Sequence, residues 1–455
     1  MFDLGIEGGT VVTPRGRRPS HVYLSQGRIG AITPTAQPAK ARVAAGGCLV
    51  MPGMVDTHVH LMDPGATDRE DFPAGTAAAA AAGVTTILEH THAAPVRTPA
   101  DLIQKREHLR RRSRIDFGLV AHAWPGDLDQ VLPLWEAGAA GFKAFTCTTH
   151  GVPGFDAAAL LGLLQRAAQA GAPCLVHCED ESITAAAEEA LLRAGRNDPG
   201  VVPSWRNREA ELTAVAGTVL LASRSGARVV VAHVSHAEAL ALVTQARRGG
   251  AHVIAETCPQ YLTLFESEIL EHGAFRKFTP PARARSGGDL EEMWRAVKDG
   301  RIHHISTDHA PSTTSQKNVS IWEAPFGLPG LDTTLPLLLD AAHSGAIGYE
   351  DVVRAYSEAP SRAYGLYPRK GSLLPGADAD IVLVDPEAKW KVRDEDLWSR
   401  AGWSPYAGRV LTGGAVRTFL RGRLIAEGRK VLAEPGAGRF LPGPGAERST
   451  APTQP

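Results

Sequence analysis

The sequence has no surplus of charge of either sign: 48 lysines and arginines stand against 49 aspartates and glutamates. That balance removes the bulk electrostatic case for nucleic acid, an anionic membrane or a polyanionic substrate, and makes a small molecule the expected partner. No run reaches the roughly 18 uninterrupted apolar residues that a membrane span needs. The first residues, MFDLGIEGGTVV, lack both the basic and the continuous apolar region of a secretory leader. Cysteine is scarce too: Cys48, Cys147, Cys174, Cys178 and Cys258 form an odd, scattered set, which fits reduced thiols in a cytoplasmic protein better than a disulfide framework. The expectation is a soluble, unprocessed cytoplasmic protein, with neither nucleic acid nor membrane as partner.

What the sequence does have is a cadence. From about Val50 to Ala342 a short apolar run of strand length is followed by a polar loop and then by an Ala/Leu-rich stretch of helical period. Eight strand-like runs can be counted: LVMPGMVDTH, VTTILEH, IDFGLVAH, GFKAFTC, PCLVHCE, RVVVAHVS, HVIAETC and HHISTDH. Helical stretches such as DLIQKREHLRRR and DAAALLGLLQRAAQAG lie between them. Eight strands alternating with helices imply parallel βα units, and in this length they predict an α/β fold, a closed (β/α)8 TIM-like barrel, with an open doubly wound sheet as the alternative. The flanks instead alternate short β-rich pieces with glycine turns. We expect residues 1–48 and 370–431 to pair into one small β-sandwich domain beside a barrel of residues 49–369, and the Pro/Gly/Ala-rich stretch 432–455 to be a flexible tail.

With 17 histidines in the chain, position must separate ligands from solvated or core residues. Barrel enzymes build their sites at the C-terminal ends of strands. His58 and His60 end the first strand, Lys143 lies in the fourth, His177 ends the fifth, His233 the sixth and Asp308 the eighth. Two residues apart on a strand, His58 and His60 point the same way and can reach one ion. Lys143 is the odd member, because an ammonium inside the apolar run GFKAF is costly without a partner. Two outcomes relieve that cost: a pair with Asp308 or a glutamate, or reaction of a neutral amine with CO2 to give a carbamate that bridges two cations. Asp308 is a carboxylate able to bind metal and to take a proton from water.

Read in order, PGMVDTHVH, EDFPAGTAAAAAAGVTT, GFKAF, LVHCED, AHVSHAEAL, ETCPQYL, FTPPAR, STDHAP, FGLPG and KGSLLPGADADIVLVD resemble the cyclic amidohydrolases, the group of allantoinases, hydantoinases (dihydropyrimidinases) and dihydroorotases. The resemblance implies a binuclear centre of two divalent ions, usually zinc. His58, His60 and Asp308 would hold one ion and His177 and His233 the other, with a CO2-derived carbamate on Lys143 bridging both. It implies a small cyclic amide as substrate, hydroxide attack on a ring carbonyl with Asp308 as general base and acid, and a homodimer or homotetramer.

Departures from the family pattern bear on substrate. Met62 stands where dihydroorotases place an arginine for the substrate carboxylate, so dihydroorotate is disfavoured. His92 or His90 replaces an amide after the second strand, Thr148 stands where hydantoinases place an oxyanion-binding tyrosine, and backbone contacts to the ring map to the segments around Thr279 and Pro329. The expected activity is hydrolysis of a ring amide in a compound such as allantoin, a hydantoin or a dihydropyrimidine. A dihydroorotase or other cyclic imide hydrolase, a deaminase of the same fold and a metal-free scaffold protein are the competing readings.

Overall fold

The computed structural model describes residues 1–90 and 92–446. Eighteen strands run in chain order: β1 Phe2–Thr13, β2 Gly16–Ser25, β3 Arg28–Thr33, β4 Ala39–Ala44, β5 Leu49–Pro52, β6 Met54–Val59, β7 Val84–Glu89, β8 Asp116–Leu119, β9 Ala121–His122, β10 Phe142–Phe145, β11 Pro173–His177, β12 Arg228–Val231, β13 Val253–Thr257, β14 Ile302–Ile305, β15 Ile381–Lys391, β16 Val410–Leu420, β17 Arg423–Glu427 and β18 Lys430–Val431.

The expected barrel is present. Parallel pairing runs β6-β7-β8 and β9-β10-β11-β12-β13-β14, and β8 and β9 are one strand interrupted at Val120, so eight strands result. The ring closes where the Val59–His309 bridge and the His60 N–H to His309 carbonyl bond (2.7 Å) join the first strand to the end of the eighth. The helices of the cadence form where their caps predict. Asp71 caps Phe72–Ala81 through the Ala74 N–H, Thr98 and Asp101 form a capping box on Pro99–Leu109, and Gly138 and Gly171 end their helices at φ +102° and +70°. No helix of the described residues is long and apolar enough to cross a membrane.

Inward and outward residues alternate along each strand. Phe117, Leu119 and Ala121 pack outward into the core shared with the helices, whereas Leu88, Val120, Leu175 and Val230 meet Tyr364 in a separate inner cluster. The same alternation turns Asp56 and His58, His90, His122, Lys143, His177 and Glu256 inward. The apolar plug fills the lower barrel, and the ionisable side chains collect above it.

Two features of the flanks differ from expectation. The first run, LVMPGMVDTH, is two strands in two sheets: β5 pairs with β1 and β15, while β6 starts the barrel. Gly53 is the junction, lying so close to the Thr85 side chain that any Cβ would collide with it. Through β5 the N- and C-terminal segments make one nine-stranded sheet, β18-β17-β16-β15-β5-β1-β2-β3 with β4 on β1, closed over a core that includes Ile6, Val22, Val50, Ile381 and Phe419.

The stretch after 431 is the second difference and corrects the expected flexible tail as far as residue 446. It lies along the edge of β8: the Phe117 N–H donates to the Arg439 carbonyl (3.0 Å), the Leu441 N–H to the Phe117 carbonyl (2.7 Å) and the Gly443 N–H to the Gly138 carbonyl (2.9 Å). A Cβ at Gly438, Gly443 or Gly445 would run into the backbone of Ile115, Ala139 or Trp135. Glycines that read as flexibility in the sequence are there for close approach to the barrel. Residues 447–455 lie outside the described residues.

Candidate metal centre

At the C-terminal rim of the barrel the six sequence-predicted ligands converge. Asp308 Oδ1 is 3.3 Å from His58 Nε2 and 3.3 Å from His60 Nε2. His177 Nδ1 and His233 Nε2 stand 2.9 Å apart, and Lys143 Nζ is 3.2 Å from His58 Nε2. The His58 ring lies 5.7 Å from that of His233, so the two groups face one space.

The far side of each imidazole shows what that space suits. His58 donates from Nδ1 to Glu256 Oε1 (2.7 Å), His60 from Nδ1 to the His90 carbonyl (3.2 Å) and His177 from Nε2 to Glu179 Oε2 (2.8 Å). Each bond fixes the tautomer and leaves the other ring nitrogen as an acceptor pointing inward. Burial holds all four rings neutral, with His60 pushed down to about 3 and His58 and His233 well below the ordinary imidazole value. Asp308 Oδ1 thus faces the inward nitrogens of both His58 and His60 at 3.3 Å, an arrangement of three ligand atoms around one point. The donor set fits a divalent metal at His58, His60 and Asp308, and the facing nitrogens of His177 and His233 have the chemistry for a second.

Lys143 is 1% exposed, and among the described residues no carboxylate pairs with it; its neighbours are His58 and, at 5.1 Å, the Phe145 ring. Burial lowers its pKa. Of the two outcomes left open by the sequence, a direct ion pair is not formed. Asp308 is raised to about 7, chiefly by burial. His233 and Asp308 also adopt left-handed backbone, φ +37° and +47°, as do Met62 and His150 nearby, so four of the six positive-φ non-glycine residues described lie on this rim.

The residues expected around the substrate separate into different roles. His90 is buried, stacked on His58 at 4.7 Å, and donates from Nε2 to the Thr57 carbonyl (2.7 Å), so it braces a ligand from below. His92 is half-buried at the mouth, 5.4 Å from the His60 ring and stacked on His150 at 4.2 Å. Met62 is fully buried. Thr148 is exposed on the loop after β10, where its backbone N–H donates to the Glu181 carboxylate. The Thr279 hydroxyl donates to Glu179 Oε2 (2.6 Å), behind His177. Pro329 is buried in the loop whose Gly330 N–H donates to His309 Nδ1 (3.0 Å), next to Asp308.

Sequence reasoning missed the residues that orient the ligands. Glu256 and Glu179 are fully buried carboxylates, and Arg206 reaches Glu179 at 3.3 Å. The signal for Glu256 was present, since a glutamate two residues after Ile254 on an inward-facing strand position has to be buried with a partner. A second acidic cluster, Asp116, Asp378 and Asp380, already holds a cation: Lys370 Nζ contacts the three carboxylates at 2.6, 3.0 and 2.6 Å.

Comparison with known proteins agrees with this geometry. The model of the amidohydrolase family matches residues 49–411. An allantoinase of Rubrobacter xylanophilus is 37% identical over 448 residues, covering 97% of this chain and 97% of the relative. An L-hydantoinase of Paenarthrobacter aurescens is 32% identical over 453 residues, covering 97% and 98%. Among solved structures, the L-hydantoinase (dihydropyrimidinase) from Arthrobacter aurescens matches with a TM-score of 0.93 at 30% identity, over 97% of this chain and 100% of that one.

Proposed function

Because this chain belongs to the amidohydrolase family, whose members depend on metal, we propose that it hydrolyses a ring amide C–N bond in a small cyclic amide or ureide such as allantoin, a hydantoin or a dihydropyrimidine. The observation that carries this reading is the set of inward lone pairs on His58, His60 and His177, each fixed by an acceptor on the other side of the ring. His58, His60 and Asp308 hold one ion and His177 and His233 the other. Lys143, as a carbamate formed when its neutral amine adds CO2 and loses a proton, would supply a further anionic ligand to both; its burial, and the absence of a carboxylate partner among the described residues, support this. When bound, the two ions, zinc by the donor set, supply Lewis acidity that acidifies a water and polarises the ring carbonyl.

The remaining work falls to the chain. Asp308 accepts the proton lost as the C–O bond forms and returns it to the ring nitrogen as the C–N bond breaks, opening the ring to a carboxylate. Glu256 and Glu179 keep His58 and His177 in one orientation throughout. The five free thiols fit a cytoplasmic location.

The test is elemental analysis joined to a panel of hydantoin, 5-substituted hydantoins, allantoin, dihydrouracil and dihydroorotate. Close to two divalent ions per chain and turnover of at least one ring are expected, with Lys143→Ala losing both activity and much of the metal. Wild-type metal and turnover in Lys143→Ala would sink the bridging role.

A further inference from the structure

The fold brings a cation to the rim of the metal centre. Arg69 donates from Nε to the Pro311 carbonyl at 3.0 Å, which fixes it between the loops after β6 and β14. Its Nη2 is buried and has no acceptor among the described residues, and no carboxylate forms an ion pair with it there. Behind burial, the Arg69 charge is one of the causes that lower the pKa of His60, His92 and His150. Among the described residues the acidic group that raises the pKa of Arg69 is the exposed Asp68, whose carboxylate accepts from Gln316 Nε2 at 2.6 Å.

Two buried amines lie beside it. Among the described residues Lys317, 1% exposed, donates to the carbonyls of Lys277 (3.1 Å) and Pro325 (2.8 Å), and burial lowers its pKa well below the ordinary amine value. Lys277, also 1% exposed, is held by those of Ile321 (2.6 Å) and Trp322 (3.1 Å). Neither has a carboxylate partner among the described residues. His92 Nδ1 is likewise buried without a partner among the described residues. A buried guanidinium N–H with no acceptor, beside amines that hold no carboxylate, is costly unless an anion or water meets it.

We propose that Arg69 is a specificity-determining residue that binds an acidic group, a carboxylate by its planar geometry, carried by the ring substrate, with His92 beside it at the pocket mouth. This rests on the cyclic-amide reading of the metal centre and narrows it to rings bearing an acidic substituent. Arg69 takes no part in bond making; it orients the ring through a group remote from the scissile amide, so its contribution appears in KM.

The experiment uses the metal-loaded protein and matched pairs of rings: 5-carboxymethylhydantoin against 5-ethylhydantoin, and dihydroorotate against dihydrouracil. The acidic member of at least one pair is expected to have the higher kcat/KM. Arg69→Met is expected to raise KM for that acid on the order of ten- to a hundredfold, the range of a charge-assisted hydrogen bond, with kcat within about threefold. KM for the neutral partner is expected to stay within about twofold, and Arg69→Lys to restore part of the loss. Equal KM shifts for acidic and neutral rings, or no shift for either, overturn the role of Arg69 while leaving the ring-opening reaction intact. If the wild-type protein opens only neutral rings, the acidic-substituent inference falls alone. If it opens no ring amide, both readings fall together. A thermal unfolding midpoint for each variant separates lost recognition from lost folding, because a merely structural residue would change the two members of a pair alike.

Discussion

Glu256→Gln tests whether the centre depends on its orienting carboxylates. Glu256 is fully buried; Oε1 takes the Nδ1–H of His58 at 2.7 Å, and Oε2 faces His304 Nε2 at 3.2 Å. Glutamine keeps the shape but loses the charge, and its NH2 can only donate, so one imidazole must change tautomer or lose its bond. A hydrogen bond to a charged group contributes about 1.5–3 kcal/mol, and each ~1.4 kcal/mol is tenfold in an equilibrium constant. The variant is therefore expected to bind metal about 10- to 100-fold more weakly, the range seen when a ligand's orienting partner is removed. The assay is chelator competition on loaded protein with metal counted by elemental analysis, alongside urea unfolding of the metal-free protein. Metal affinity within about twofold of wild type, in a variant that folds, would show that His58 does not need Glu256, and the argument from fixed tautomers would fail with it.

Two further predictions concern stability. Lys370→Met leaves Asp116, Asp378 and Asp380 buried with Lys370 gone from their midst, and although Arg421 still reaches Asp116 and Arg369 reaches Asp378, a loss of about 3–5 kcal/mol is expected in denaturant unfolding. A loss below about 1 kcal/mol would mean that the cluster stays neutral without its lysine. Glu211 sets an acid limit: burial pushes its carboxyl up, but the His236 and Arg283 charges and the Ser235 hydroxyl bring it down to about 2 from an ordinary 4.5. A depressed carboxyl pKa contributes stability that is complete above about pH 4.5 and is lost as the pH falls toward 2. The stability gap between wild type and Glu211→Gln is expected to shrink by about 2 kcal/mol between about pH 6 and pH 3, and a constant gap would contradict the assignment.

How far the sequence reaches depends on whether a signal is local. Strand and helix cadence is local, so all eight barrel strands were legible, and with the strand count came the rim position of His58, His60, Lys143, His177, His233 and Asp308. Glu256 and Glu179 were harder, because a carboxylate within a strand reads as one more polar residue until the ring it orients is known. The segment 432–446 misled outright. Its Pro/Gly composition gives few apolar residues to bury, but its backbone hydrogen bonds to β8 do not depend on side chains and leave no mark in composition.

Alternation of side chains on a strand, with period two, was enough for the sequence to determine the barrel and to aim both histidines of VDTHVH at one point. The tertiary structure alone decided what surrounds that point. It separated His90, a brace under His58, from His92 at the mouth, although the two are two residues apart. It also placed Arg69 on that rim, with its Nε–H on the Pro311 carbonyl. Both outcomes rest on loop paths and on the closure of the first strand against the eighth. Contacts between residues some 250 positions apart, such as Thr57 Oγ1 with Ser306 Oγ at 2.9 Å, fix those paths, and no local pattern encodes them.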